Sequence, residues 1–193
     1  MKDVNTNNEV FLKNIKAVIF DVDGVLFTGQ ESRITQDNGV VGVIKTRSLV
    51  DGQGISFLRA IGIRILFASG ENEPLKSIVE KINNLPSVLS GDWEPVECFK
   101  DEKGKEGKVP VITSWLEKHN LSWSECAYVG DDRTDLEAMS ITGFKVAPAN
   151  ATRIIKKIAD LILEKEGGKG AIREFVEIVL DARGIDEGTL PSA

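Results

Sequence analysis

Histidine and cysteine are scarce in this chain of 193 residues, which holds one histidine, His119, and two cysteines, Cys98 and Cys126. A single histidine leaves little material for a histidine-based catalytic triad. His119 sits in the charged stretch LEKHN and is expected as a solvated helix-end residue. The cysteines lack the short spacing of a metal knuckle, so two reduced thiols of a cytoplasmic protein are expected. No apolar run is long enough to cross a bilayer. The opening MKDVNTNNEVFLKN has no apolar signal core. The net charge of -6 argues against nucleic acid as the main partner. It does not exclude an anionic substrate, because a bound cation inverts the field of an acidic site.

What is present is an ordinary globular composition, 41% hydrophobic and 28% charged. The length suits one domain of ordinary size, or one domain plus a small insert. Residues 1–14 read as a polar arm. KAVIF (16–20) and IRILFA (63–68) read as buried strands, as do CAYVG and FKVAPA further on. Between the first two lie VLFTG, SRITQ and GVVGVIKTR, a small antiparallel excursion over about 25–47. Helices are expected over 49–62, through ENEPLKSIVEKINNL, through VPVITSWLEKHN, within DDRTDLEAMS, over 151–158 and in AIREFVEIVLDARG. PSVLSG and EPVECF read as short strands, KDEKGKEGK as an exposed loop, and 184–193 as a tail. SWSE fits a capping box, but it leads into a strand and reads as a turn.

Strands alternating with helices of this length imply a parallel sheet with helices on both faces. Ligands of such sheets bind beyond the carboxyl ends of the strands. That rule selects Asp21 to Gly24, then Ser69, Gly70 and Glu71, then Gly130 to Asp135.

Asp21 and Asp23 are two apart in FDVDGVL, so in extended chain they project to one side. Paired carboxylates repel unless a cation or shared proton intervenes. Asp-Gly pairs also serve as plain surface turns, but this one ends a wholly apolar strand. Asp131, Asp132 and Asp135 follow CAYVG. They are either first-turn acids that complement a helix dipole or part of the same acid cluster. Five acids at one sheet edge need positive charge, and an all-oxygen set suits Mg²⁺ rather than zinc. Ser69 is either a helix cap or an anion contact, with the N–H groups of Gly70 and Glu71 beside it. Lys108 opens a helix. Lys100, Lys103 and Lys105 are its rivals for any functional role.

The order DVDG, strand-end serine, helix-opening lysine and GDDRTD resembles the haloacid dehalogenase superfamily, over about residues 15–183. DVDGVLFTG, KTRSLVDGQGI, AYVGDDRTDLEAM and GGKGAIREFVEIVL resemble its 3-deoxy-D-manno-octulosonate 8-phosphate phosphatase group. The resemblance implies a Rossmann-like α/β fold with a hairpin insert in place of a large cap. It implies Asp21 as a nucleophile forming an aspartyl-phosphate and Asp23 as acid/base. It implies Mg²⁺ on Asp21, Asp131 and the Asp23 backbone carbonyl, with Ser69 and Lys108 on phosphoryl oxygens. Asp132 and Asp135 are then supports behind them. The substrate implied is a small phosphorylated sugar acid.

The resemblance further implies a homotetramer, with Gly167, Gly168, Gly170 and Arg173 reaching a neighbour's site. A flexible turn is the ordinary reading of GGKG. Glu71 stands where octulosonate phosphatases often have arginine, which looks more like phosphatases of 2-keto-3-deoxynononate 9-phosphate. Two further readings are a phosphomutase and a non-catalytic assembly domain like those fused to sialate cytidylyltransferases.

Overall fold

Apolar residues alternate between two buried layers along β1 (Ala17–Asp21), the strand that organises the molecule. Val18 and Phe20 face one core and Ala17 and Ile19 the other. That two-residue period is the strand's own geometry, and burial on both faces marks a central strand. The computed structural model describes residues 6–35, 37–69, 74–100 and 107–191. Its main sheet adds β4 (Arg64–Ser69), β5 (Glu97–Lys100), β6 (Cys126–Val129), β7 (Phe144–Ala147) and β8 (Leu161–Ile162). The order is β5-β4-β1-β6-β7-β8 and every pairing is parallel. The α/β architecture expected from the alternating pattern is thus observed.

One face carries α1 (Thr6–Asn14), α2 (Leu49–Ala60), α3 (Leu75–Asn83) and α8 (Ala171–Arg183). Their buried residues include Leu12, Leu58, Leu75 and Phe175. The other face carries α5 (Lys108–Lys118), α6 (Leu136–Ile141) and α7 (Arg153–Ile158), with Trp115, Met139 and Ile155 inward. Each such large side chain contributes about 1.5–3 kcal/mol by leaving water.

The hairpin expected over 25–47 is β2 (Glu31–Thr35) paired antiparallel with β3 (Val41–Lys45), a separate two-stranded sheet. Its strands are largely exposed, so it lacks a core of its own.

Three local expectations are corrected. The polar arm holds α1, because Leu12 is fully buried and Phe11 stacks on Phe144 at 5.4 Å. PSVL forms a short helix, α4 (Pro86–Leu89), because Pro86 suits a helix's first turn. His119 ends α5 as expected, but its ring is tucked in and its Nε2 lies 2.6 Å from Glu97. The SWSE turn does carry the capping box, on a 3-10 turn over Trp123–Glu125.

Candidate active site

Because the sheet is parallel, the carboxyl ends of β1, β4 and β6 open on one edge. A cavity of about 570 Å³ lies there, lined among others by Asp21, Asp23, Ser69, Lys108, Asp131 and Asp132. Residues far apart in sequence meet in it. Asp21 closes β1 and is 8% exposed. Lys108, the first residue of α5, bonds to Asp21 Oδ1 and reaches Asp135 Oδ1 at 2.6 Å. Lys108 is thus the lysine that the described residues place at this edge; Lys103, Lys105 and the Lys100 side chain lie outside them.

Asp135 is completely buried and fully committed. Its Oδ1 accepts from Lys108 and from the Tyr128 hydroxyl at 2.7 Å. Its Oδ2 accepts the N–H groups of Asp131 and Asp132 at 3.0 and 3.2 Å. A carboxylate offers about four lone-pair sites, and all four are used. Asp135 therefore organises the edge rather than facing a ligand.

Oxygens of Asp21, Asp131 and Asp135 lie within 4.8 Å of one another. Asp135 is spoken for, whereas Asp131 Oδ1 is buried with no hydrogen-bond partner. Leaving such an acceptor unpaired costs about 1–3 kcal/mol, so the position suits a cation. Burial, then the charges of Asp135 and Asp131, push Asp21 up to about 8 against the opposing pull of Lys108. Burial, then Asp135 and Asp132, push Asp131 up to about 7. Burial pulls Lys108 down, but Asp21 and Asp135 together raise it above the ordinary lysine value. Two acids whose charge burial disfavours, one of them with an unpartnered oxygen, fit a hard divalent ion with oxygen ligands.

Backbone supports complete the edge. Gly24 has φ +94°, and a Cβ there would lie 2.0 Å from Asp131 Oδ2. Asn150 Nδ2 donates to the Gly24 carbonyl at 2.9 Å, and Asn150 Oδ1 accepts from Gly167 N–H at 2.7 Å. Thr152 N–H and Oγ1 donate to the Asp131 carbonyl at 2.8 and 3.1 Å. Asn150, Thr152 and Tyr128 escaped the sequence reading. The strand-end rule applied to the segment after FKVAPA would have found the first two.

The first two glycines of GGKG pack closely against the backbone of their own chain. A Cβ on Gly167 would fall 1.8 Å from the Gly24 carbonyl oxygen, and one on Gly168 2.4 Å from Thr28 N. Close backbone packing, not a flexible turn, requires them. Arg173 does not line the cavity of its own chain. Its guanidinium bonds Glu177, Glu187 and Gln53 and lies 4.8 Å from the Phe57 ring centroid. Its place on α8 turns it toward α2 and the C-terminal segment. Gly70 and Glu71 lie outside the described residues.

Carboxylates, one lysine and a cation-ready oxygen at a parallel sheet edge define a phosphoryl-transfer type of site. A family model for haloacid dehalogenase-like hydrolases matches residues 63–175, over half of the chain. The chain belongs to the haloacid dehalogenase-like hydrolases. It is 34% identical over 174 residues to the 3-deoxy-D-manno-octulosonate 8-phosphate phosphatase KdsC of Haemophilus influenzae, covering 90% of this chain and 87% of that one. The cobalt-bound phosphatase structure from that organism superposes with a TM-score of 0.75 at 32% identity, covering 90% and 92% of the two chains. The Moraxella catarrhalis phosphatase, solved with magnesium ion, phosphate ion and a KDO molecule, also gives 0.75, at 28% identity over 93% and 94%. Among the described residues, no helix is long and apolar enough to cross a membrane.

Proposed function

We propose that this chain is a Mg²⁺-dependent phosphomonoester hydrolase acting on 3-deoxy-D-manno-octulosonate 8-phosphate through an aspartyl-phosphate on Asp21. The observation that carries this reading is the buried pair of Asp21 and Lys108 beside the unpartnered Asp131 oxygen. The substrate follows that of the phosphatase relatives that match most of this chain.

In the first step, an Asp21 oxygen attacks phosphorus as the bond to the sugar oxygen breaks. Asp23 gives the leaving alkoxide its proton. In the second, water attacks phosphorus, Asp23 takes the water's proton, and the Asp21 oxygen leaves as carboxylate. Lys108 and Ser69 hold phosphoryl oxygens, and Asp135 holds Lys108 in place. A divalent cation, held by Asp21, Asp131 and the Asp23 backbone carbonyl, supplies positive charge against the phosphoryl group when bound.

Phosphate release from the sugar-acid phosphate tests the reading. Turnover is expected with Mg²⁺, and none from folded Asp21→Asn. Full turnover by that variant would sink the covalent step. The nine-carbon 2-keto-3-deoxynononate 9-phosphate belongs in the same assay because of Glu71. A kcat/KM ratio between the two esters that Glu71→Arg leaves unchanged would remove Glu71 from substrate choice. We further propose a cytoplasmic homotetramer, supported by the half-exposed Ile34, Val41, Val43 and Ile44 of the hairpin. A monomer mass by light scattering at active concentrations would contradict it.

A further inference from the structure

Lys45 is the last residue of β3, in a hairpin whose other side chains point mostly to solvent. Ile44 beside it is 51% exposed, yet the Lys45 side chain is 5% exposed. It turns back under the hairpin toward the β1 edge. Its Nζ donates to both oxygens of Asp23, at 2.7 and 2.9 Å, and lies 5.8 Å from the ring centroid of the buried Phe27. The hairpin base beside it is tied down by Thr28 N–H donating to the Thr46 carbonyl at 3.0 Å. Burying a lysine side chain gives up rotamer freedom, so the inward turn needs a compensating contact. The two charge-assisted bonds to Asp23 supply it.

Asp23 has the opposite character. Its side chain is 39% exposed and borders the cavity. A short, half-exposed carboxylate has several rotamers open to it, and proton transfer demands one within hydrogen-bond reach of the reacting oxygen. A two-point clamp from a buried ammonium selects one. We propose that Lys45 is a positioning residue that fixes the Asp23 carboxylate, so that the hairpin of the same chain holds part of the proton-transfer geometry. This rests on reading Asp23 as the acid/base. It makes the hairpin more than an assembly element, since any shift of β3 moves the clamp.

The test uses full-length Lys45→Met, which keeps the apolar stem, and Lys45→Arg, which keeps the charge. Phosphate release is measured with Mg²⁺ on the sugar-acid phosphate and on p-nitrophenyl phosphate. Misaligning a proton-transfer group is expected to lower kcat about tenfold or more in Lys45→Met with KM little changed, and Lys45→Arg is expected to restore most of it. Unchanged kcat, a KM rise at constant kcat, or a loss that arginine does not restore would overturn the proposal. A crystal structure of Lys45→Met supplies a readout independent of turnover: Asp23 should leave its rotamer, and an unmoved carboxylate overturns the proposal whatever the substrate. Wild type inactive on both esters would instead count against the function proposed above.

Discussion

The phenol of Tyr128 donates to Asp135 Oδ1 at 2.7 Å, in a place where both side chains are fully buried. Burial, then the nearby acids led by Asp135, raises the phenol well above its ordinary value, so it stays protonated and donates. Tyr128→Phe keeps the ring and deletes the donor. A loss of about 1–3 kcal/mol in unfolding free energy is expected by urea titration. The kcat should fall more than KM rises, because Asp135 also steadies Lys108. A variant as stable and active as wild type would show that this hydrogen bond carries neither load.

Metal removal is expected to abolish turnover, with Mg²⁺ restoring it after EDTA is removed. Asp131→Asn keeps the shape of the side chain but withdraws the charge beside the unpartnered oxygen. Mg²⁺ affinity measured by titration calorimetry should drop about tenfold or more, as losing a charge-bearing oxygen ligand reduces affinity for a hard cation. Affinity equal to wild type would move the cation elsewhere.

Gly167→Ala places a methyl 1.8 Å from the Gly24 carbonyl oxygen, a contact with backbone on both sides. Overpacking of this kind costs about 1–3 kcal/mol. The displaced segment is the one that carries Asp23, so kcat should fall together with the melting temperature. Retention of both would mean that the two loops separate more easily than their hydrogen bonds through Asn150 suggest.

Glu125 gives a pH signature. Hydrogen bonds from Lys16 and Ser122 pull its carboxyl down to about 2. A folded-state value below the unfolded one stabilises above the ordinary carboxylate range and is lost as pH falls. Glu125→Gln should therefore melt below wild type at neutral pH, with the gap narrowing from about pH 5 downward as the unfolded-state carboxylate protonates. Added salt should narrow it as well. A gap independent of pH would assign the effect to the capping box alone.

Much of the fold was legible because its signals are local. KAVIF, IRILFA and CAYVG are short apolar runs bounded by polar residues, and alternating them with amphipathic helices leaves few arrangements open. PSVL was misread because four residues carry too little periodicity to separate a strand from a turn of helix. The N-terminal arm was misread because its composition is polar, while its two anchors, Phe11 and Leu12, find partners only in the folded chain.

The sequence by itself determined that acids stand at the ends of β1 and β6, because strand direction and the parallel sheet place those ends on one edge. It could not say which acid faces a ligand. Only the fold tells them apart: Asp135 fills all its acceptor sites, and Asp131 Oδ1 has no hydrogen-bond partner. Nor could it choose among four lysines, since Lys108 meets Asp21 across 87 positions of chain. Lys45 was invisible for the same reason: the hairpin pattern fixes which strand it ends, and its inward turn onto Phe27 and Asp23 is a tertiary contact. Local pattern sets direction and period. Which polar atoms are left partnered or unpartnered is a property of contacts between distant segments, and exists only once the chain has closed on itself.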